Sequence, residues 1–189
     1  MKRILITLIA LLPIAATAQQ QIFRWGLQIG WHGGAYQCSH QGLEGSQNSI
    51  YDFGAQFRIG GRLYGSTGLN CHVANQSFSR GDSSCDLKQD YIGIPLRIGF
   101  QLIDRKEWKW NLETGMEYRG SVFISPNDWG LDRNSRELNR HHLDLVAGTG
   151  FDWGRLNASL SYRRVFSGPV RNAPQSDDQL WIAFGFFFK

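Results

Sequence analysis

Past its first eighteen residues the chain has no long hydrophobic run. Nothing there approaches the roughly 18 consecutive apolar residues a membrane-crossing helix needs, so no helical span is expected. An excess of charge of one sign is missing too. The net charge of +4 falls by two once Lys2 and Arg3 are set aside, and so near-neutral a balance gives no reason to expect a nucleic-acid partner. Proline is scarce, with 5 residues in 189, while glycine (22) and aromatics are plentiful, a mixture that suits strands better than helices. No linker, internal repeat, low-complexity tract or second domain can be found.

The N-terminus reads as a secretory signal. Lys2 and Arg3 precede the apolar run Ile4–Leu12, and the small-residue pattern Ala16-Thr17-Ala18 follows. The run is too short to span a bilayer, so residues 1–18 are expected to be cleaved and residues 19–189 to form one domain.

What the mature segment does contain is alternation by two. In "WKWNLETGMEYRG" (108–120), Trp110, Leu112, Met116 and Tyr118 share one parity, while Lys109, Asn111, Glu113, Glu117 and Arg119 share the other. Successive strand side chains point to opposite faces, so one face is apolar and the other ionic. The same rule runs through "FRWGLQIGWHG", "YDFGAQFRI", a weaker stretch near 62–73, "YIGIPLRIGFQL", "HLDLVAGTGFDW", "RLNASLSYRR" and "QLWIAFGFFFK". Eight such segments predict an all-β fold, an eight-stranded antiparallel up-and-down transmembrane barrel. Tight turns are expected at Gly60-Gly61, Asp104–Glu107 and Trp153–Arg155. Long polar loops are expected at 34–49, 74–89, 123–139 and 167–178. With short turns on one rim and long loops on the other, both termini fall on the short-turn, periplasmic side.

Which parity faces inward follows from size. An eight-stranded lumen is just wide enough for side chains to fill it, and about thirty large apolar residues would overpack it. Gly26, Gly30, Gly54, Gly93, Gly99, Gly115, Gly148, Gly150 and Gly185 all lie on the polar parity, where space is tight. The apolar parity must then face lipid, which argues against a soluble lipocalin-like binder. Trp25 and Trp31 are about 20 Å apart along a strand, and Trp110 and Tyr118 about 26 Å. Corrected for strand tilt, such spans approach an apolar band of ~25 Å edged by aromatic girdles. With Trp153 and Tyr162, these four are the expected lipid-interface aromatics. Inside, Arg24, Arg58, Arg97, Arg119 and Arg163 balance Asp52, Glu113, Glu117, Asp144 and Asp152, which predicts a paired, plugged lumen rather than a pore.

"DYIGIPLRIGF" resembles the Tyr-x-x-Ile-Pro-Leu strand of the Bacteroidetes outer-membrane beta-barrel family of PorT-like proteins, through Tyr91, Ile94, Pro95 and Leu96. "NLETGMEYRG" is similar to that family's next strand. Val146, Ala147, Gly148 and Gly150 match its Val-Ala-Gly-x-Gly hairpin, and the closing "QLWIAFGFFFK" matches its last strand. The resemblance implies an outer-membrane barrel, for some members a role in protein secretion, and no catalytic residues. Pro95 cannot donate to a strand ladder and implies a bulge or a local opening.

Remaining candidates are few. Cys71 and Cys85 flank the second expected loop and are read as a disulfide, with Cys38 left free or pairing with either. His142 and Asp144 share the inward parity and are expected to hydrogen-bond. His32 also falls on that parity, but whether it meets His72 is not set by sequence. No metal set and no cofactor is expected. The leading functional reading is a non-enzymatic integral barrel of a Gram-negative outer membrane, structural, interacting or accessory to secretion. Its partners are membrane lipids and other envelope or secretion proteins. The alternative is an outer-membrane enzyme acting on lipid A or peptides at the outer rim, for which His142 with Ser121, Ser159 or Ser161 is the best available set.

Overall fold

The computed structural model describes residues 22–40, 43–130, 138–166 and 175–188. The expected signal segment, the Cys38 side chain and parts of the loops expected at 34–49, 123–139 and 167–178 lie outside the described residues.

Eight strands follow one another in the chain: β1 (Ile22–His40), β2 (Leu43–Gly60), β3 (Leu63–Arg80), β4 (Ser83–Asp104), β5 (Trp108–Ile124), β6 (His141–Trp153), β7 (Leu156–Val165) and β8 (Gln175–Phe188). Each pairs antiparallel with its sequence neighbour, and β1 pairs with β8 through Trp25↔Phe188 to Cys38↔Gln175, closing the barrel. Closure joins the first and last strands, so neither is left as a sheet edge. The turns at 60–62, 104–107 and 153–155 are as short as the sequence implies, and Gly60 and Gly154 take the positive φ these turns require (134° and 60°).

The loops at 34–49 and 74–89 are a correction. There the strands continue: β1 runs to His40, β2 starts at Leu43, and β3 and β4 pair without a break to Arg80↔Ser83 around Gly81, at φ 59°. Polar composition misleads because the neighbouring strand, not the side chains, satisfies the backbone. Ser77 and Asp86, register partners, also share a hydrogen bond of 2.7 Å. β4 therefore has 22 residues and spans about 73 Å along its length, whereas β7 has 10. The wall formed by β1–β4 rises well beyond that of β6 and β7, on the side away from the termini.

Pro95 produces the opening rather than the bulge. The β3–β4 register is the same on both sides, but pairing lapses between Thr67↔Leu96 and Asn70↔Gly93. Thr67 Oγ1 donates to the Pro95 carbonyl at 2.8 Å beside the gap.

The expected Cys71–Cys85 disulfide does not exist, and both cysteines are free. Cys71 pairs with Ile92 and Cys85 with Phe78, seven register positions apart. That is about 23 Å along the strand, far beyond the roughly 7 Å Cα separation a disulfide tolerates.

The faces divide as the alternation requires. Phe53, Ile94 and Phe184 point outward and are 57%, 51% and 59% exposed, while Trp181, one position from Ile182, is 0% exposed inside.

Candidate functional site

The lumen holds the chemistry, and period-two alternation places it there. Arg24 comes from β1, Arg58 from β2, Arg97 from β4, Glu113, Glu117 and Arg119 from β5, Asp144 and Asp152 from β6 and Arg163 from β7. Together they form one chain of alternating sign. Arg24 donates to Asp152 (3.0 Å), which also receives Arg58 (3.0 Å), and Arg58 meets Glu113 (3.1 Å). Arg97 lies 3.6 Å from both Glu113 and Glu117. Arg163 joins Glu117 (2.6 Å) to Asp144 (3.5 Å), and Asp144 ends the chain on Arg119 (2.6 Å). In so dry a setting each charge needs its partner, because burial of an unpaired ion costs several kcal/mol.

Asp52 stands outside that chain. Among the described residues its ionic partners are two histidines, His32 Nε2 at 2.8 Å and His72 Nδ1 at 3.7 Å. His72 Nε2 in turn lies 2.8 Å from Glu117 Oε1, which also accepts Asn70 Nδ2 at 3.1 Å.

Inward aromatics separate the guanidinium groups. Arg97 lies over the Trp181 ring (4.7 Å), Arg24 and Arg58 over Phe187 (4.4 and 4.7 Å), and Arg119 over Tyr91 (5.5 Å). Stacking of this kind suits the planar, weakly hydrated guanidinium group. Tyr64 both lies under Arg58 and donates to Glu113 at 2.7 Å. The glycines make the room. A Cβ at Gly93 would collide with Glu117 and His72, one at Gly99 with the Tyr64 ring, and one at Gly30 with Asp52 and Trp181. Above the charged layer, buried Ile50, Ala74 and Tyr91 form an apolar cluster. At the opposite rim, Arg24, Lys106, Lys109, Arg155 and Asp152 line a recess of about 660 Å³.

The His142–Asp144 hydrogen bond is not formed. Asp144 is taken by Arg119 and Arg163, whose charge makes them stronger donors, and the His142 ring packs edge-on against Tyr91 at 5.1 Å. Nor does register bring His142 to the β7 serines. Ser161 pairs with Gly148 and Ser159 with Gly150, about 20 and 26 Å along the strand from His142. Ser121 accepts a hydrogen bond from Gln89 Nε2 at 2.9 Å.

All six expected interface aromatics lie on the outer face. Trp25 stacks on Phe188 at 4.3 Å, and Trp31 is the register partner of Tyr51. Three keep a polar contact: Trp110 Nε1 donates to Thr149 (2.6 Å), Tyr118 OH meets His141 (2.6 Å) and Tyr162 OH donates to Asp178 (2.6 Å). Trp153 flanks the Gly154 turn and is exposed. Trp181, Tyr64, Tyr91 and Phe187 also lie inside; their inward parity is written in the sequence, but the larger apolar set on the opposite face of each strand masks it.

No family model and no curated protein matches the sequence. Among solved structures the chain is similar to the outer membrane protein OprG from Pseudomonas aeruginosa, at 12% identity and TM-score 0.49, over 88% of this chain and 95% of that one. It is similar to Ail, the attachment invasion locus protein of Yersinia pestis, solved in complex with the heparin analogue sucrose octasulfate, at 13% identity and TM-score 0.49, over 88% and 99%. It is also similar to LpxR from Salmonella typhimurium, at 8% identity and TM-score 0.36, over 87% and 100%.

Proposed function

We propose that the protein is a non-enzymatic integral barrel of a bacterial outer membrane, with a sealed polar lumen, both termini in the periplasm and recognition carried by the extended wall of β1–β4. The observation that carries this reading is the inversion of the barrel: large apolar side chains cover the outside while the ion pairs sit within. In water so much contiguous apolar surface drives association. In hydrocarbon it is the favoured surface, and a closed ladder pairs the backbone there except at the local opening beside Pro95.

The ion pairs within the lumen support a plugged barrel over a wide channel. The charge chain crosses the lumen from Arg24 on β1 to Arg119 on β5, with guanidinium groups and aromatic rings stacked between. What remains for function is the outer surface: lipids around the belt, and other envelope or secretion proteins at the raised rim. The PorT-like pattern at Tyr91, Ile94, Pro95 and Leu96 supports the secretion-accessory version of this role.

The test is cell fractionation of the expressed chain with a carbonate wash, joined to planar-bilayer recording and lipid A mass spectrometry. The expected result is retention in the outer-membrane pellet, no stable wide conductance and unchanged lipid A. Release by carbonate would overturn the integral reading. A mass shift in lipid A would replace the non-enzymatic reading with enzymatic action at the outer rim.

A further inference from the structure

We infer that His32, Asp52 and His72 form a structural site for one divalent transition-metal ion, of the zinc class, inside the barrel. The three side chains come from adjacent strands β1, β2 and β3. Their candidate ligand atoms lie within 4.8 Å of one another, and all three residues are buried. Asp52 and His72 are register partners, and Gly30, the register partner of Asp52 on β1, leaves the space that a side chain would fill.

The protons carry the argument. Glu117, held by Arg163 and Arg97, only accepts hydrogen bonds, so His72 Nε2 must donate to it. The neutral ring then presents the lone pair of Nδ1 toward Asp52, and Nδ1 has no hydrogen-bond partner among the described residues. His32 behaves alike. Its two ring nitrogens face two acceptors, Gln179 Oε1 at 3.3 Å from Nδ1 and Asp52 Oδ2 at 2.8 Å from Nε2, and a neutral ring has one proton for both; with that proton on Nδ1, a cation at Nε2 satisfies the other. Each histidine thus faces an acceptor at both ring nitrogens, and the two rings share the Asp52 carboxylate. Asp52 Oδ1 is likewise without a hydrogen-bond partner.

Either added protons or one divalent cation can satisfy the acceptors that the two neutral rings leave unserved. The donor set favours the cation. Two imidazoles and a carboxylate are a common zinc-class set, and each histidine already donates its far N–H to a carboxylate or an amide oxygen, the usual orienting arrangement. Ligand atoms bound at about 2.1 Å to a tetrahedral ion sit about 3.4 Å apart, between the 2.8 and 3.7 Å seen here. The ion would tie β1, β2 and β3 together. In a sealed lumen it enters during folding, so the site is structural rather than catalytic. The inference depends on the barrel interior and stands apart from the membrane reading.

The experiment refolds the full mature chain in detergent micelles with Zn²⁺ or Co²⁺, removes loosely held metal with chelator and counts metal by mass spectrometry. The expected result is close to one ion per folded chain, with cobalt d–d bands of four- or five-coordinate strength. Asp52→Asn and His72→Gln should each lower occupancy by at least about tenfold, the scale known for loss of orienting partners alone. His141→Gln, on the outer face, should leave occupancy unchanged. If the variants fail to fold, the wild-type count still decides. A folded wild-type chain holding a negligible amount of metal overturns the inference, as does equal retention by the folded variants. So does ¹⁵N NMR of metal-treated protein showing both rings as imidazolium.

Discussion

Glu117 Oε2 lies 2.6 Å from Arg163 Nη2, with both side chains fully enclosed. This contact joins β5 to β7 across the lumen and holds the middle of the charge chain. Glu117→Leu should therefore destabilise the barrel by about 3–5 kcal/mol, because it removes the carboxylate that Arg163, Arg97 and His72 share and leaves Arg163 only Asp144 at 3.5 Å. Glu117→Leu combined with Arg163→Met should recover part of that loss. Denaturant unfolding from micelles, followed by gel mobility of the folded form, reads both.

The lumen glycines test its packing. Gly99→Ala drives a methyl group into the Tyr64 ring and should cost about 1–3 kcal/mol in the same assay. As an outer-face control, Gly65→Ala, where a Cβ meets nothing within 4 Å, should stay within about 0.5 kcal/mol of the parent.

The outer face makes the opposite demand. Leu96 is 71% exposed on β4, a position where a soluble protein accepts arginine at little cost. In a bilayer Leu96→Arg should cost about 2–4 kcal/mol near the midplane. Folding equilibria in vesicles, compared with Asp82→Arg in the β3–β4 turn, separate the two cases.

Cysteine chemistry checks the register. With Cys38→Ser as background, mild oxidation should leave non-reducing gel mobility unchanged, since Cys71 and Cys85 sit seven positions apart on the β3–β4 ladder. An intramolecular crosslink between them would require that hairpin to be re-registered.

Much of this architecture is legible in the sequence because a barrel wall obeys one rule. Parity alone puts Arg97 and Glu117 inside and Leu96 and Tyr118 outside. Two things escape it. The upper parts of β3 and β4 have polar residues on their outer face, as at Ser77 and Asp86, so alternation of hydrophobicity fades although pairing continues. The meeting of His32, Asp52 and His72 escapes because it depends on register between three strands, which no spacing along one strand encodes. The same holds for His142: parity puts it beside Asp144, but two arginines arriving from β5 and β7 claim that carboxylate.

Sidedness itself is tested most directly by two native tryptophans that nearly touch the same rung. Trp31 pairs with Ile182 and His32 with Trp181, yet Trp31 faces out and Trp181 faces in. Single-tryptophan variants retaining one or the other, folded into vesicles containing brominated lipid, report which ring meets acyl chains. Strong quenching at Trp31 with none at Trp181 is the predicted result. Quenching of Trp181, or a Trp31 untouched by the lipid, would contradict the account.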